Sequence, residues 1–171
     1  MLCVTGYVAM LRAVNVAGTG KLPMTELVAI GLECGFEKVR TFIASGNLLF
    51  ESDFDEPEVA RRIAARIDAF FGKPVPLFVR CADEMAVAAA GNPFCDDKPS
   101  RVMAHFIAEP PSAAMLVEAR DVVGERMALG PRLIYVSYGE GIGKTRLKLP
   151  AVRHGTARNL NSVARIADLL A

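Results

Sequence analysis

Three alternating glycines, Gly139, Gly141 and Gly143, run into Lys144, Thr145 and Arg146 directly after an apolar stretch that ends at Tyr138. Backbone N–H groups in such a loop can converge on one anion. Two cationic side chains and a Thr hydroxyl add charge and a further donor. The chemistry predicted is phosphate binding by Gly141, Gly143, Lys144, Thr145 and Arg146. The spacing is not that of a Walker A loop, which puts a Gly five positions before the Gly of Gly-Lys-Thr; Tyr138 stands there. The competing reading is a solubilising turn into an edge strand, where Lys discourages edge-to-edge pairing.

Two other groups carry the same kind of chemistry. Arg12, Asn15 and Lys21 lie on the loop after the first predicted strand. As alternatives to a ligand role, Asn15 can satisfy loop backbone groups and Arg12 can pair with an acid such as Glu26. Arg158, Asn159 and Asn161 lie at the start of the last predicted helix. Asn is a usual cap there, but a cation at the positive end of a helix is unfavourable unless an anion is close. Ser45, Gly46 and Asn47 read as ordinary hairpin residues. No catalytic constellation is visible, which leaves enzymatic activity open: Cys95 is followed by Asp96 and Asp97, which disfavour a thiolate. Cys3, Cys34 and Cys81 sit in or beside apolar runs and read as core residues. His105 falls in a strand, and neither it nor His154 has a partner at metal-ligand spacing, so neither metal nor cofactor is expected.

The elements that must position these groups follow from periodicity. Residues 6–13 alternate as a strand, and Pro23 opens a helix that stops at Gly35. Runs at 39–43 and 48–51 flank the hairpin turn, or form one bulged strand. Asp55 and Glu56 then precede Pro57 and an apolar helical series ending at Gly72, followed by a strand over 75–81. This β-α-β-β-α-β order is that of a ferredoxin-like unit. A linker helix from Asp83, a strand at 102–107, a helix after Ser112 and strands at 126–129 and 133–138 begin a second such unit. Arg146 to Leu149 reads as an edge strand, Pro150 rules out a helix there, and the last helix spans 159–170. The expected fold is α+β: two ferredoxin-like subdomains packed together, residues 1–82 and 83–171, the second a variant with a C-terminal helix. In the first, the loop after strand one and the hairpin are expected at opposite ends of the sheet, so that Asn15 and Asn47 cannot share a pocket. The Asn15 end, with Arg12 and Lys21, is favoured for any convergence of the motifs.

Composition bounds the partners. A net charge of +1 excludes a globally polybasic protein, yet residues 139–171 hold six cations against two acids. Apolar residues make up 52% of the chain, enough for a sizeable core, and no apolar run is long enough for a membrane span. Four cysteines without a C-x-x-C pair, and no signal peptide, predict a reducing cytoplasm.

Four segments together resemble an uncharacterised bacterial family, domain of unknown function 1697: Leu11-Arg12-Ala13-Val14-Asn15-Val16-Ala17-Gly18, Arg40-Thr41-Phe42-Ile43-Ala44-Ser45-Gly46-Asn47, Gly141-Ile142-Gly143-Lys144-Thr145-Arg146-Leu147 and Arg158-Asn159-Leu160-Asn161-Ser162-Val163. The resemblance implies paired ferredoxin-like subdomains and transfers no activity. Ala13 and Ala17 stand where the family pattern has Gly, which makes a left-handed first loop less available. Leu160 replaces a Trp and removes a stacking surface. The resulting expectation is a binding module for a phosphate-bearing ligand, a nucleotide or phosphorylated metabolite. Against it stand an enzyme acting on such a metabolite, a homodimeric interaction protein with no small ligand, and an RNA-binding module. The RNA reading suffers from the lack of Trp and from strand aromatics that all read as core.

Overall fold

The computed structural model describes residues 4–15 and 20–171. Cys3 and the Val16-Ala17-Gly18 part of the first motif fall outside them. The chain divides into two compact units, Met1–Asp83 with Leu169–Ala171, and Glu84–Asp168. Each holds one four-stranded antiparallel sheet.

The first unit runs β1 (Thr5–Leu11), α1 (Met24–Glu33), β2 (Glu37–Thr41), β3 (Asn47–Ser52), α2 (Glu56–Phe71) and β4 (Leu77–Cys81). Its strand order is β2-β3-β1-β4. Tyr7, Ala9 and Leu11 of β1 enter the same core as Leu48, Phe50 and Val79, which also takes Leu27 and Ile30 from α1 and Val59, Ile63 and Ile67 from α2. The last three recur at helical spacing and are fully buried, each worth roughly 1.5–3 kcal/mol of apolar burial. The Asp55 side chain caps α2 by accepting from the Glu58 N–H at 3.0 Å, and Gly72 ends it in the left-handed region. Val8, Met10 and Leu49, which alternate with the core residues, are buried as well. Strand β1 is therefore covered on both faces and reads as an apolar run more than as an alternation.

One geometric expectation is overturned. The loop after β1 and the β2–β3 turn emerge at the same end of the first sheet: Met10 is in register with Asn47, and the Leu11 N–H donates to the Gly46 carbonyl at 2.9 Å. The α1 crossover returns the chain so that β2 runs parallel to β1, and both strands finish at one edge. Asn15 and the turn are neighbours, joined by a 3.1 Å bond from the Asn15 amide to the Ala44 carbonyl.

Helix α3 (Ala82–Ala90) leads into the second unit: β5 (Val102–Phe106), α4 (Ala113–Val117), β6 (Arg126–Gly130), β7 (Leu133–Ser137), β8 (Thr156–Asn159) and α5 (Leu160–Leu170). The order β6-β7-β5-β8 reproduces that of the first sheet. The edge strand next to β5 is Thr156–Asn159, not Arg146–Leu149. The backbone of Lys148 forms an isolated two-bond bridge with Arg120, and Pro150 then starts a single 3-10 turn, Pro150–Val152. Where the first unit places the sixteen-residue α2, the second has the irregular segment 138–155. Its Leu147, Leu149, Ala151 and Val152 pack with Ile107, Ile134 and Val136 and close the core from the loop side.

Candidate functional site

The glycine loop leaves β7 at Tyr138, whose N–H donates to the Arg101 carbonyl at 3.0 Å. Arg101 answers with its guanidinium on the Gly139 carbonyl at 2.7 Å, which ties the loop to the start of β5. Gly141 has φ +117°, a backbone only glycine adopts readily, and the chain then makes one 3-10 turn over Ile142–Lys144. Internal bonds consume the amides of Gly141, Lys144 and Thr145. Among the described residues, no acceptor takes the amides of Gly139, Glu140, Ile142 or Gly143.

Of these four, Gly139 and Glu140 border a cavity of about 530 Å³, which Gly141, Lys144, Thr145 and Arg146 line together with Tyr138 and the segment Val123–Glu125; Ile142 and the predicted ligand residue Gly143 do not line it. The sequence reading missed the last segment because Gly124 and Glu125 carry no local signature; only the fold of the 138–155 segment brings them to the loop. Glu125 changes the chemistry. Its carboxylate accepts from the Thr145 hydroxyl and from the Val123 N–H, the latter at 2.6 Å. The Thr145 bond is the main cause of a carboxyl held below its usual range. Thr145 gives its hydroxyl proton to Glu125 and also accepts from the Leu147 N–H at 3.1 Å, so the hydroxyl is no ligand donor as the loop stands.

Tyr138 sits at the cavity wall with its hydroxyl 3.0 Å from His105 Nε2. Burial lowers the His105 pKa to about 4, and burial, with a smaller push from the Glu125 charge, raises Tyr138 to about 12. Both side chains are thus neutral at pH 7, and the pair acts as a fixed hydrogen bond, not a charge relay.

The remaining sequence candidates do not line this cavity. Arg158 and Asn159 lie in β8 at the same end of the sheet as the loop, since Met103 pairs with Asn159 and the adjacent Val102 pairs with Ser137. The Arg158 side chain is buried and donates to Thr156 Oγ1 at 2.8 Å and to the Ala157 carbonyl at 2.9 Å; desolvation brings its pKa down to about 10. The charge that looked misplaced at a helix start belongs instead to a buried strand residue. Asn159 Oδ1 accepts the Ser162 N–H at 2.9 Å and caps α5, while Asn161 is exposed.

Arg12, Asn15 and Lys21 belong to the first unit. Asn15 spends both amide protons, on the Leu22 and Ala44 carbonyls at 2.9 and 3.1 Å, and its oxygen accepts the Leu22 N–H at 2.8 Å. It is a clamp on two loops. Asn47, unlike the exposed Asn15, is buried, and it donates to the Phe42 carbonyl and to Ser45 Oγ. Arg12 lines a separate cavity of about 150 Å³ with Lys73 and Phe71; Lys21 is exposed. Among the described residues, no group of three His, Cys, Asp or Glu side chains is placed to hold a metal, and no helix is long and apolar enough to cross a membrane.

A search of curated proteins gives no match. Among solved structures, the chain is similar to a conserved bacterial protein from Streptococcus pneumoniae, with a TM-score of 0.81 and 23% identity over 99% of this chain and 100% of that one. That likeness shows the fold alone. The model of a family described as a protein of unknown function, DUF1697, matches residues 4–135, a span that ends inside β7, before the glycine loop. Since the matched span takes in well over half of its length, the chain belongs to the DUF1697 family.

Proposed function

We propose that the second unit binds a phosphate-bearing small molecule, a nucleotide or phosphorylated metabolite, in the glycine-loop cavity. The observation that carries the reading is the meeting of Lys144, Arg146 and the unbonded amides of Gly139 and Glu140 at one concavity of about 530 Å³. That is room for a ligand of nucleotide size. No side chain at the cavity is placed as a nucleophile or as a general base tuned near neutral pH, so the reading is one of binding. The two strand orders also support reading each unit as a ferredoxin-like sheet, the second without its second helix. RNA is less well supported, because Phe50 and Tyr135 are buried and offer no stacking face. Self-association without a ligand is favoured by one feature, the exposure of Val117 and Val123 at 84% and 79%. It predicts a concentration-dependent dimer that phosphate esters leave unchanged.

The test is calorimetric titration with a nucleoside monophosphate. Replacing both Lys144 and Arg146 by Ala should weaken binding at least about tenfold, the scale of losing charge-assisted hydrogen bonds. Equal affinity in the variant and the wild type would remove the proposal.

A further inference from the structure

We infer that the ligand of the glycine-loop cavity carries a single phosphate monoester together with a hydrogen-bond donor, an amine above all, and that polyphosphates and RNA are discriminated against. This rests on the phosphate-binding reading and goes further by setting the ligand's charge. Glu125 and Glu140 line the same cavity as Lys144 and Arg146, so two carboxylates share the space with the two cations. A monoester phosphate bears about −1.5 to −2 at pH 7, which the two cations match. Each further phosphate brings charge that Lys144 and Arg146 do not cover and that the carboxylates repel.

Glu125 is built to face a donor. The Val123 N–H binds one of its oxygens and the Thr145 hydroxyl the other. A carboxylate has about four acceptor positions, so each oxygen keeps capacity for a ligand amine or hydroxyl. The two internal bonds fix the carboxylate's orientation before any ligand arrives, which lowers the ordering cost of binding. Tyr138, held at 3.0 Å from His105, presents a fixed wall beside it, and the exposed Val123 adds apolar surface for the ligand's body.

The experiment is titration calorimetry without divalent cations, using two matched pairs of probes: glucosamine 6-phosphate against glucose 6-phosphate, and AMP against ATP. The wild type should prefer the amine-bearing sugar by about threefold, the size of an exposed ion pair, and AMP over ATP. Glu140→Gln should shrink both preferences, and Glu125→Gln, which keeps an acceptor for Thr145, should abolish the amine preference. If Glu125→Gln does not fold, Glu140→Gln decides alone, since Glu140 is exposed and bonds nothing in the loop. ATP binding tighter than AMP in the wild type, or preferences unchanged in Glu140→Gln, would overturn the inference while leaving phosphate binding intact. No binding of glucose 6-phosphate or AMP would remove both.

Discussion

Two loop residues that flank Val14 show how far a side chain can justify its backbone. Ala13 and Asn15 sit at φ +54° and +57°. Asn15 offsets the cost of the left-handed conformation with three hydrogen bonds, whereas Ala13 is exposed and has only a methyl group. The substitution of Gly by Ala therefore does not prevent the left-handed turn; it makes the turn strained. Ala13→Gly should stabilise the protein by about 0.5–1 kcal/mol, the αL relief less the extra unfolded-state entropy of Gly. Urea unfolding would show this as a higher midpoint at unchanged slope, and a lower midpoint would argue against strain at Ala13.

His105 gives a pH signature at the same scale. Its folded pKa, about 4, lies below the ordinary 6.5 because burial disfavours the imidazolium. The unfolded chain therefore binds the extra proton first as pH falls. The stability associated with neutral His105 is complete above pH 6.5 and is lost progressively towards pH 4, by an amount on the order of 3 kcal/mol. His105→Gln should flatten the stability profile between pH 6.5 and 4.5 relative to wild type. Parallel profiles would mean that the imidazole titrates normally.

At the scale of elements, β8 depends on close approach. A Cβ at Gly155 would lie 2.5 Å from the Phe106 carbonyl oxygen, a backbone atom that cannot swing aside. Gly155→Ala should push β8 away from β5 and cost about 2 kcal/mol or more, read as a lower melting temperature together with faster amide exchange at Ala157 and Asn159. Protection unchanged at both would contradict this. The same strand marks where the sequence was least legible. Thr156-Ala157-Arg158-Asn159 is short, polar and without β-branched residues after Thr156, so its pairing is imposed by β5 and not by local propensity. By contrast, α2 announced itself through Asp55, Pro57, the Val59-Ile63-Ile67 stripe and Gly72. Arg146–Leu149 alternates as a strand does, but β8 already holds the place beside β5, and the segment turns its leucines into the core from a loop.

At the scale of the whole molecule, the two units repeat one strand order but use their loops differently. The described residues of the first two motifs meet at one end of the first sheet and are largely occupied in holding it together, Asn15 and Asn47 above all. The glycine loop replaces a helix in the second unit, and a connection relieved of covering the sheet with a regular element is free to border a cavity. The loop was legible as an anion receptor from Lys144, Arg146 and the glycines. Glu125, Glu140 and Tyr138 at the same cavity were not assigned to it, because the meaning of each lies in which residues it meets. The central claim is tested most directly by following backbone amide resonances during titration with a nucleoside monophosphate. The account predicts saturable shifts concentrated at Gly139, Glu140 and Gly141, which line the cavity, absent when Lys144 and Arg146 are both Ala. Saturable shifts centred on Arg12, Ala13 and Lys73 instead, or none at any residue, would contradict it.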